Sequence, residues 1–117
     1  MVLDPTLIEK ISNNHPNQAV VHVSCCDIDD AQIACLCNAL THNTNVHSLL
    51  ANWNQLTDIG AWRIAELMRK NPHLQRVELA GNPAITEACI QQLQVEFNDR
   101  FLNKQGLRRL EIGRASC

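Results

Sequence analysis

The 117-residue sequence predicts an α/β solenoid, in which stacked strand–helix units build a short curved parallel sheet on the concave side and place helices on the convex side. Two observations predict it. The segments "QAVVHVSCCDI" from Gln18, "VHSLLANWNQL" from Val46 and "LQRVELAGNPA" from Leu74 follow one another at 28 residues and align at positions 1, 4, 6, 9 and 11. Each is followed by apolar residues at helical spacing. A strand–helix unit of this length cannot bury its apolar side alone, so neighbouring units must stack.

The elements follow in order. "DPTLIEKISNNHP" sets Asp4 as a helix N-cap and Pro5 at the first helical position, with Leu7, Ile8 and Ile11 on one face, so residues 1–17 read as an N-terminal capping helix. The first unit, 18–45, holds Gln18, Val21, Val23, Cys26 and Ile28 at the aligned positions, then the stripe Ile33, Leu36, Cys37 and Leu40. The second, 46–73, holds Val46, Leu49, Ala51, Asn54 and Leu56, then Ala61, Ile64, Ala65 and Met68. The third, 74–106, holds Leu74, Val77, Leu79, Asn82 and Ala84, and a one-residue insertion at "NPAIT" carries its stripe to Ile90, Leu93 and Phe97. Within 107–117, Leu107, Leu110 and Ile112 repeat the 1, 4, 6 spacing and read as a fourth strand; the competing reading is a tail ending in "GRASC". All of this forms one domain.

The aligned positions spell L-x-x-L-x-L-x-x-N/C-x-L, and here the chain resembles a leucine-rich repeat protein. Units of 28 residues with a full helix after the strand, entered through "TDIGA", resemble the ribonuclease-inhibitor-like class. The resemblance covers residues 18 to 100. It implies a scaffold that displays whatever its variable positions encode, and a scaffold role for the ninth-position residues Cys26, Asn54 and Asn82. An amide at that bend carries donors and an acceptor for backbone groups that have no sheet partner, and Cys26 in the same place offers a weak S–H donor while filling a small buried slot.

Composition narrows the function classes. A net charge of -2 and a pI near 6.2 give no electrostatic footprint for nucleic acid, the basic group Arg108, Arg109 and Arg114 aside. No apolar run reaches the roughly 20 residues that span a bilayer, and the N-terminus lacks a signal-peptide pattern, so a cytoplasmic chain is expected. Six cysteines without a secretory signal read as free thiols.

Strand alternation turns positions 3, 5 and 7 outward onto the concave surface: Val20, His22 and Ser24; Ser48, Leu50 and Asn52; Arg76, Glu78 and Ala80; then Arg109, Glu111 and Gly113. Trp53 lies at the rim. An exposed Leu50 beside Trp53, with Arg76 and Glu78 one strand away, has the make-up of a protein-binding anchor. Candidate partner-binding residues are His22, Leu50, Asn52, Trp53, Arg76 and Glu78. The alternative is a solvated face with the indole folded onto the loops. Trp62 reads as packing between helices.

No catalytic residue, cofactor or metal site is expected. Cys25, Cys26, Cys35 and Cys37 with His22 and His42 do not give the paired spacing of a zinc site, and Cys35 and Cys37 point apart on a helix. His15, His42, His47 and His73 gather at the helix-to-strand turns. The reading is a non-enzymatic module binding a partner protein, with homo-oligomerisation through open sheet edges or a fragment of a longer array as one alternative and a cysteine-based metal or redox switch as another. The family's short arrays include adaptor and cytoskeletal-capping proteins, innate-immune receptors and effectors that bacteria deliver into host cells. The Asn- and His-rich composition leans to the last, which would place the chain in a host cytosol.

Overall fold

A computed structural model describes residues 4–97 and 109–112. Among them are four helices and four strands: α1 (Pro5–Ser12), β1 (Val20–His22), α2 (Asp30–Leu40), β2 (Ser48–Leu50), α3 (Asp58–Lys70), β3 (Arg76–Glu78), α4 (Glu87–Gln94) and β4 (Arg109–Glu111). The strands form one open, all-parallel sheet in the order β1-β2-β3-β4. Chain order equals spatial order because each strand returns beside its predecessor through a helix, the connection a parallel pair requires.

The register aligns the apolar positions. Val21, Leu49, Val77 and Leu110 stand side by side, all buried, and face the buried helix stripes Ile33–Leu36–Leu40, Ala61–Ile64–Met68 and Ile90–Leu93–Phe97. Ile11 of α1 is fully buried at one end of this core, with Leu7 and Ile8 packed against it. The other face of the sheet has no helix against it among the described residues, and the strand residues alternate across the two faces.

Each helix begins on a side-chain acceptor, as its sequence requires. Asp4 accepts from Thr6 N–H, Asp29 forms a capping box with Gln32, and Thr57 and Thr86 cap α3 and α4. The caps are also linked from unit to unit. Asp30 Oδ1 accepts from Thr57 N–H (3.0 Å) and Gly60 N–H (3.1 Å), and its Oδ2 accepts from the Thr57 hydroxyl. Asp58 repeats this on Thr86, through N–H and hydroxyl, both at 2.7 Å.

Two columns of buried asparagines tie the units together at opposite ends of the strands. Asn54 Oδ1 accepts from Cys26 N–H and Ile28 N–H (3.0 Å each), while its Nδ2 donates to Val23 O (2.9 Å) and Ala51 O (3.2 Å). Asn82 does the same one unit on, for Asn54 N–H, Leu56 N–H, Ala51 O and Leu79 O. At the helix-to-strand turns, Asn43 Nδ2 donates to Ile11 O and Asn71 Nδ2 donates to Leu40 O and Asn43 O. His15 stands 28 residues before Asn43, and its Nδ1 accepts from Asn17 N–H as Asn43 accepts from Asn45 N–H and Asn71 from His73 N–H.

Candidate functional site

The bare face of the sheet is a grid set by the register. One row runs Val20, Ser48, Arg76, Arg109, and the next runs His22, Leu50, Glu78, Glu111. A third row, beyond the strand ends, begins Ser24, Asn52, Ala80. Val20 and His22 are exposed, so the β1 side is apolar and aromatic, whereas β3 presents the charged Arg76 and Glu78.

A chain of hydrogen bonds crosses three units of this face. Ser24 Oγ accepts from Asn52 N–H (3.0 Å); Asn52 Oδ1 accepts from Ala80 N–H (2.8 Å); Asn52 Nδ2 donates to Glu78 Oε1 (2.9 Å); and Glu78 Oε2 pairs with the Arg76 guanidinium at 2.5 Å. Glu78 is thereby engaged at both oxygens and its side chain is only 16% exposed, while that of Arg76 is 56% exposed. Asn52 is spent holding the neighbouring strand and Glu78. Arg76 is the exposed member of this chain, and the others are half-buried.

Three expectations need correction. Ser48, placed on the surface by alternation, is buried, because the shortest side chain of its row sits between Val20 and Arg76 and its hydroxyl lies 2.7 Å from His47 Nδ1. Leu50 is half-buried rather than exposed, flanked in register by His22 and Glu78. Cys26 is half-buried rather than enclosed; its backbone N–H is held by Asn54 and its thiol donates to Ser24 O at 3.4 Å.

Trp53 is 42% exposed and has a positive φ of 59°. Its counterparts one unit before and after, Cys25 and Gly81, share that left-handed backbone, with φ of 60° and 77°. The indole lies on Gly81, where an added Cβ would come within 2.6 Å of Trp53 Cδ2. The rim position and the folded-down position are therefore one geometry. Trp62 is 37% exposed and lines, with Gln91, Gln92, Val95 and Glu96, a cleft of about 440 Å³ between α3 and α4.

The edges of the sheet are partly closed by side chains of this chain. In β1 the groups bonded to β2 belong to odd-numbered residues, so the carbonyls of Val20 and Ser24 point away from the sheet. Gln18 Nε2 donates to Val20 O at 2.8 Å and Cys26 to Ser24 O. At the opposite end Gln94 Nε2 donates to Ile112 O at 3.0 Å.

This ladder of asparagines behind an open parallel sheet agrees with the comparisons. A leucine-rich repeat family model matches residues 70–87. Among solved structures, leiomodin-1 actin-binding site 2 aligns with 95% of this chain and 78% of its own, at 16% identity and a TM-score of 0.64. The tropomodulin C-terminal domain of Caenorhabditis elegans covers 95% of this chain and 83% of its own, at 11% identity and a TM-score of 0.59. No curated protein matches the sequence. The motif match supports a leucine-rich repeat protein, and the shared fold supports the leucine-rich repeat architecture without singling out the ribonuclease-inhibitor-like class.

The thiols are chemically graded. Burial pushes the Cys37 thiol up to about 12, and burial, helped by the Asp58 carboxylate, pushes Cys89 up to about 11. Cys25 and Cys35 are exposed. Among the described residues no three His, Cys, Asp or Glu side chains meet in a group that could hold a metal ion, and no helix is long and apolar enough to cross a membrane. Asn43, Asn71, Asp30 and Asp58 escaped the sequence reading. Their 28-residue spacing was available as a signal, since Asn43 and Asn71, like Asp30 and Asp58, repeat at the period of the ninth-position residues.

Proposed function

We propose that the chain is a non-enzymatic protein-interaction module that engages a partner protein through the bare face of the sheet. The observation that carries this reading is the hydrogen-bonded chain from Ser24 to Arg76, which fixes polar side chains of three units in place before any partner arrives. A pre-ordered face loses little conformational entropy on binding. His22 and Leu50 supply the apolar part of the contact and Arg76 the charged part, while Asn52 and Glu78 position Arg76. Trp53 extends the surface at the rim.

The matching 28-residue spacing of both asparagine columns supports the finer reading of stacked ribonuclease-inhibitor-like repeats in a short solenoid. The capped carbonyls of β1 and of the chain just after β4 weigh against the reading in which bare edges recruit further copies. Because the similar leiomodin-1 structure is that of an actin-binding site, actin is the first protein to test.

The test is affinity capture from a cell lysate, probed first for actin, comparing the chain with a His22→Ala, Leu50→Ala, Arg76→Ala variant of equal thermal stability. A specific partner lost by the variant supports the module. Equal capture by both, or none by either, overturns the face assignment.

A further inference from the structure

The helix-to-strand turns repeat one arrangement with one odd member. Asn43 Oδ1 accepts from Asn45 N–H (2.8 Å) and Val46 N–H (2.7 Å), and Asn71 Oδ1 accepts from His73 N–H (2.9 Å). In the turn from α1 to β1 the same bond runs from Asn17 N–H to a ring nitrogen, His15 Nδ1, at 3.2 Å. The three places are equivalent in sequence, since His15, Asn43 and Asn71 share the 28-residue spacing and His15 is followed by Pro16 as Asn71 is by Pro72. The fold explains why a ring is accepted only at the first. Asn43 and Asn71 are buried and send Nδ2 back to Ile11 O, and to Leu40 O and Asn43 O, whereas His15 opens the column and is exposed.

The exchange of an amide for an imidazole changes the chemistry. An amide oxygen accepts throughout the range in which imidazoles titrate, but an imidazole nitrogen accepts only while it carries no proton. The Asn17 N–H on Nδ1 therefore fixes the neutral ring with its own proton on Nε2. A proton added at Nδ1 removes the acceptor and sets two N–H groups against each other.

This turn is the seat of α1. Asn14, beside His15 and at a φ of 54°, accepts from Thr44 N–H (2.9 Å), donates to Thr44 Oγ1 (2.8 Å) and receives Asn45 Nδ2 at its O (2.8 Å) and its Oδ1 (3.0 Å). Ile11, one turn earlier, is fully buried at the end of the core. Around the turn the titratable groups are Glu9 and Lys10 at the end of α1, Cys35 and Cys37 on α2, and His42 and His47 in the next turn; Asp30, at the other end of α2, is engaged with Thr57. Among the described residues none of them forms an ion pair with His15, so the Nδ1 acceptor is what a proton removes.

We propose that His15 makes the seat of the N-terminal helix sensitive to acid: protonation of its ring releases Asn17 N–H, loosens the turn and weakens the hold of α1 on the first unit. The contribution is present at neutral pH, where the ring is bare at Nδ1, and is lost as the ring takes up a proton. The asparagine turns of the later units do not respond. Acid thus acts on the apolar end of the array and leaves the open face of the sheet as it is.

The experiment is amide hydrogen exchange of the full chain, followed by nuclear magnetic resonance at about pH 7.5 and about pH 5.5 and corrected for the intrinsic pH dependence of exchange. Protection of Asn17 N–H and Thr44 N–H falls about two- to tenfold in acid, the effect of one hydrogen bond, while His73 N–H and Leu56 N–H, held by Asn71 and Asn82, keep theirs. His15→Asn gives this turn the acceptor of the other two and abolishes the acid loss; His15→Ala shows the lowered protection at both pH values. Equal protection of Asn17 and Thr44 at the two pH values, or the same acid loss in His15→Asn, overturns the proposal. So does a parallel fall at His73 and Leu56, which would make the change a general loosening of the array.

Discussion

Asn54 spans two units with one amide: it joins backbone groups of the first unit to Ala51 of its own, and both its Oδ1 and its Nδ2 are bonded twice. Replacing it with Ala removes the acceptor of Cys26 N–H and of the buried Ile28 N–H and the donor to Val23 O, while Ala51 O keeps Asn82 Nδ2. Asn54→Ala should therefore cost on the order of 3 kcal/mol or more in chemical denaturation. His22→Ala, on the open face, should change stability little. Gly81 is the other residue with no freedom to vary: Gly81→Ala puts a side chain at φ +77° and pushes the indole of Trp53 off its seat, for an expected loss of about 1–2 kcal/mol. The ninth-position pattern made Asn54 and Asn82 readable as scaffold from the sequence. It could not reveal Asn52 as a second scaffold amide, because alternation gives only the face a residue occupies and not the bonds it makes there.

At the scale of the element, what orders the helices is the handing of each cap to the next unit. The Asp58 carboxyl is held below its usual range first by Thr86 N–H and then by the Thr86 hydroxyl. A carboxyl lowered in the folded state contributes stability above its unfolded value and loses it as pH falls through the folded one. Asp58→Asn should flatten that part of the acid dependence of the melting temperature, as thermal scans across the acid range would show. Gly60 shows the same constraint sterically, since it lies so close to the Asp30 carboxylate that Gly60→Ala should destabilise despite a better intrinsic helix propensity. Helix positions were legible because apolar stripes at a period near 3.6 survive any loop geometry. The links between caps were not, because an aspartate in the first turn reads as an ordinary dipole partner until the neighbouring unit is in place.

For the whole molecule, Asn54 and Asn82 with the cap-to-cap links cross the boundaries between the three units, and Asn43 and Asn71 cross those from α1 to the first unit and from the first to the second, so opening a unit strands buried groups of its neighbour. Unfolding should be one cooperative transition with coincident near- and far-ultraviolet signals. Among the described cysteines, an alkylating reagent under native conditions should modify Cys25 and Cys35 first, with Cys37 and Cys89 protected until unfolding, as mass spectrometry of the labelled peptides can show. The order of strands followed directly from the 28-residue period, but the partial closure of the edges by Gln18, Cys26 and Gln94 depends on where single side chains reach. The two tryptophans have a use of their own. With no tyrosine in the chain, all indole emission comes from Trp53 at the rim of the sheet and Trp62 on the helix layer, and Trp62→Phe leaves one intrinsic reporter beside the proposed contact surface. A partner that settles on the face would then announce itself by a blue shift, without any label.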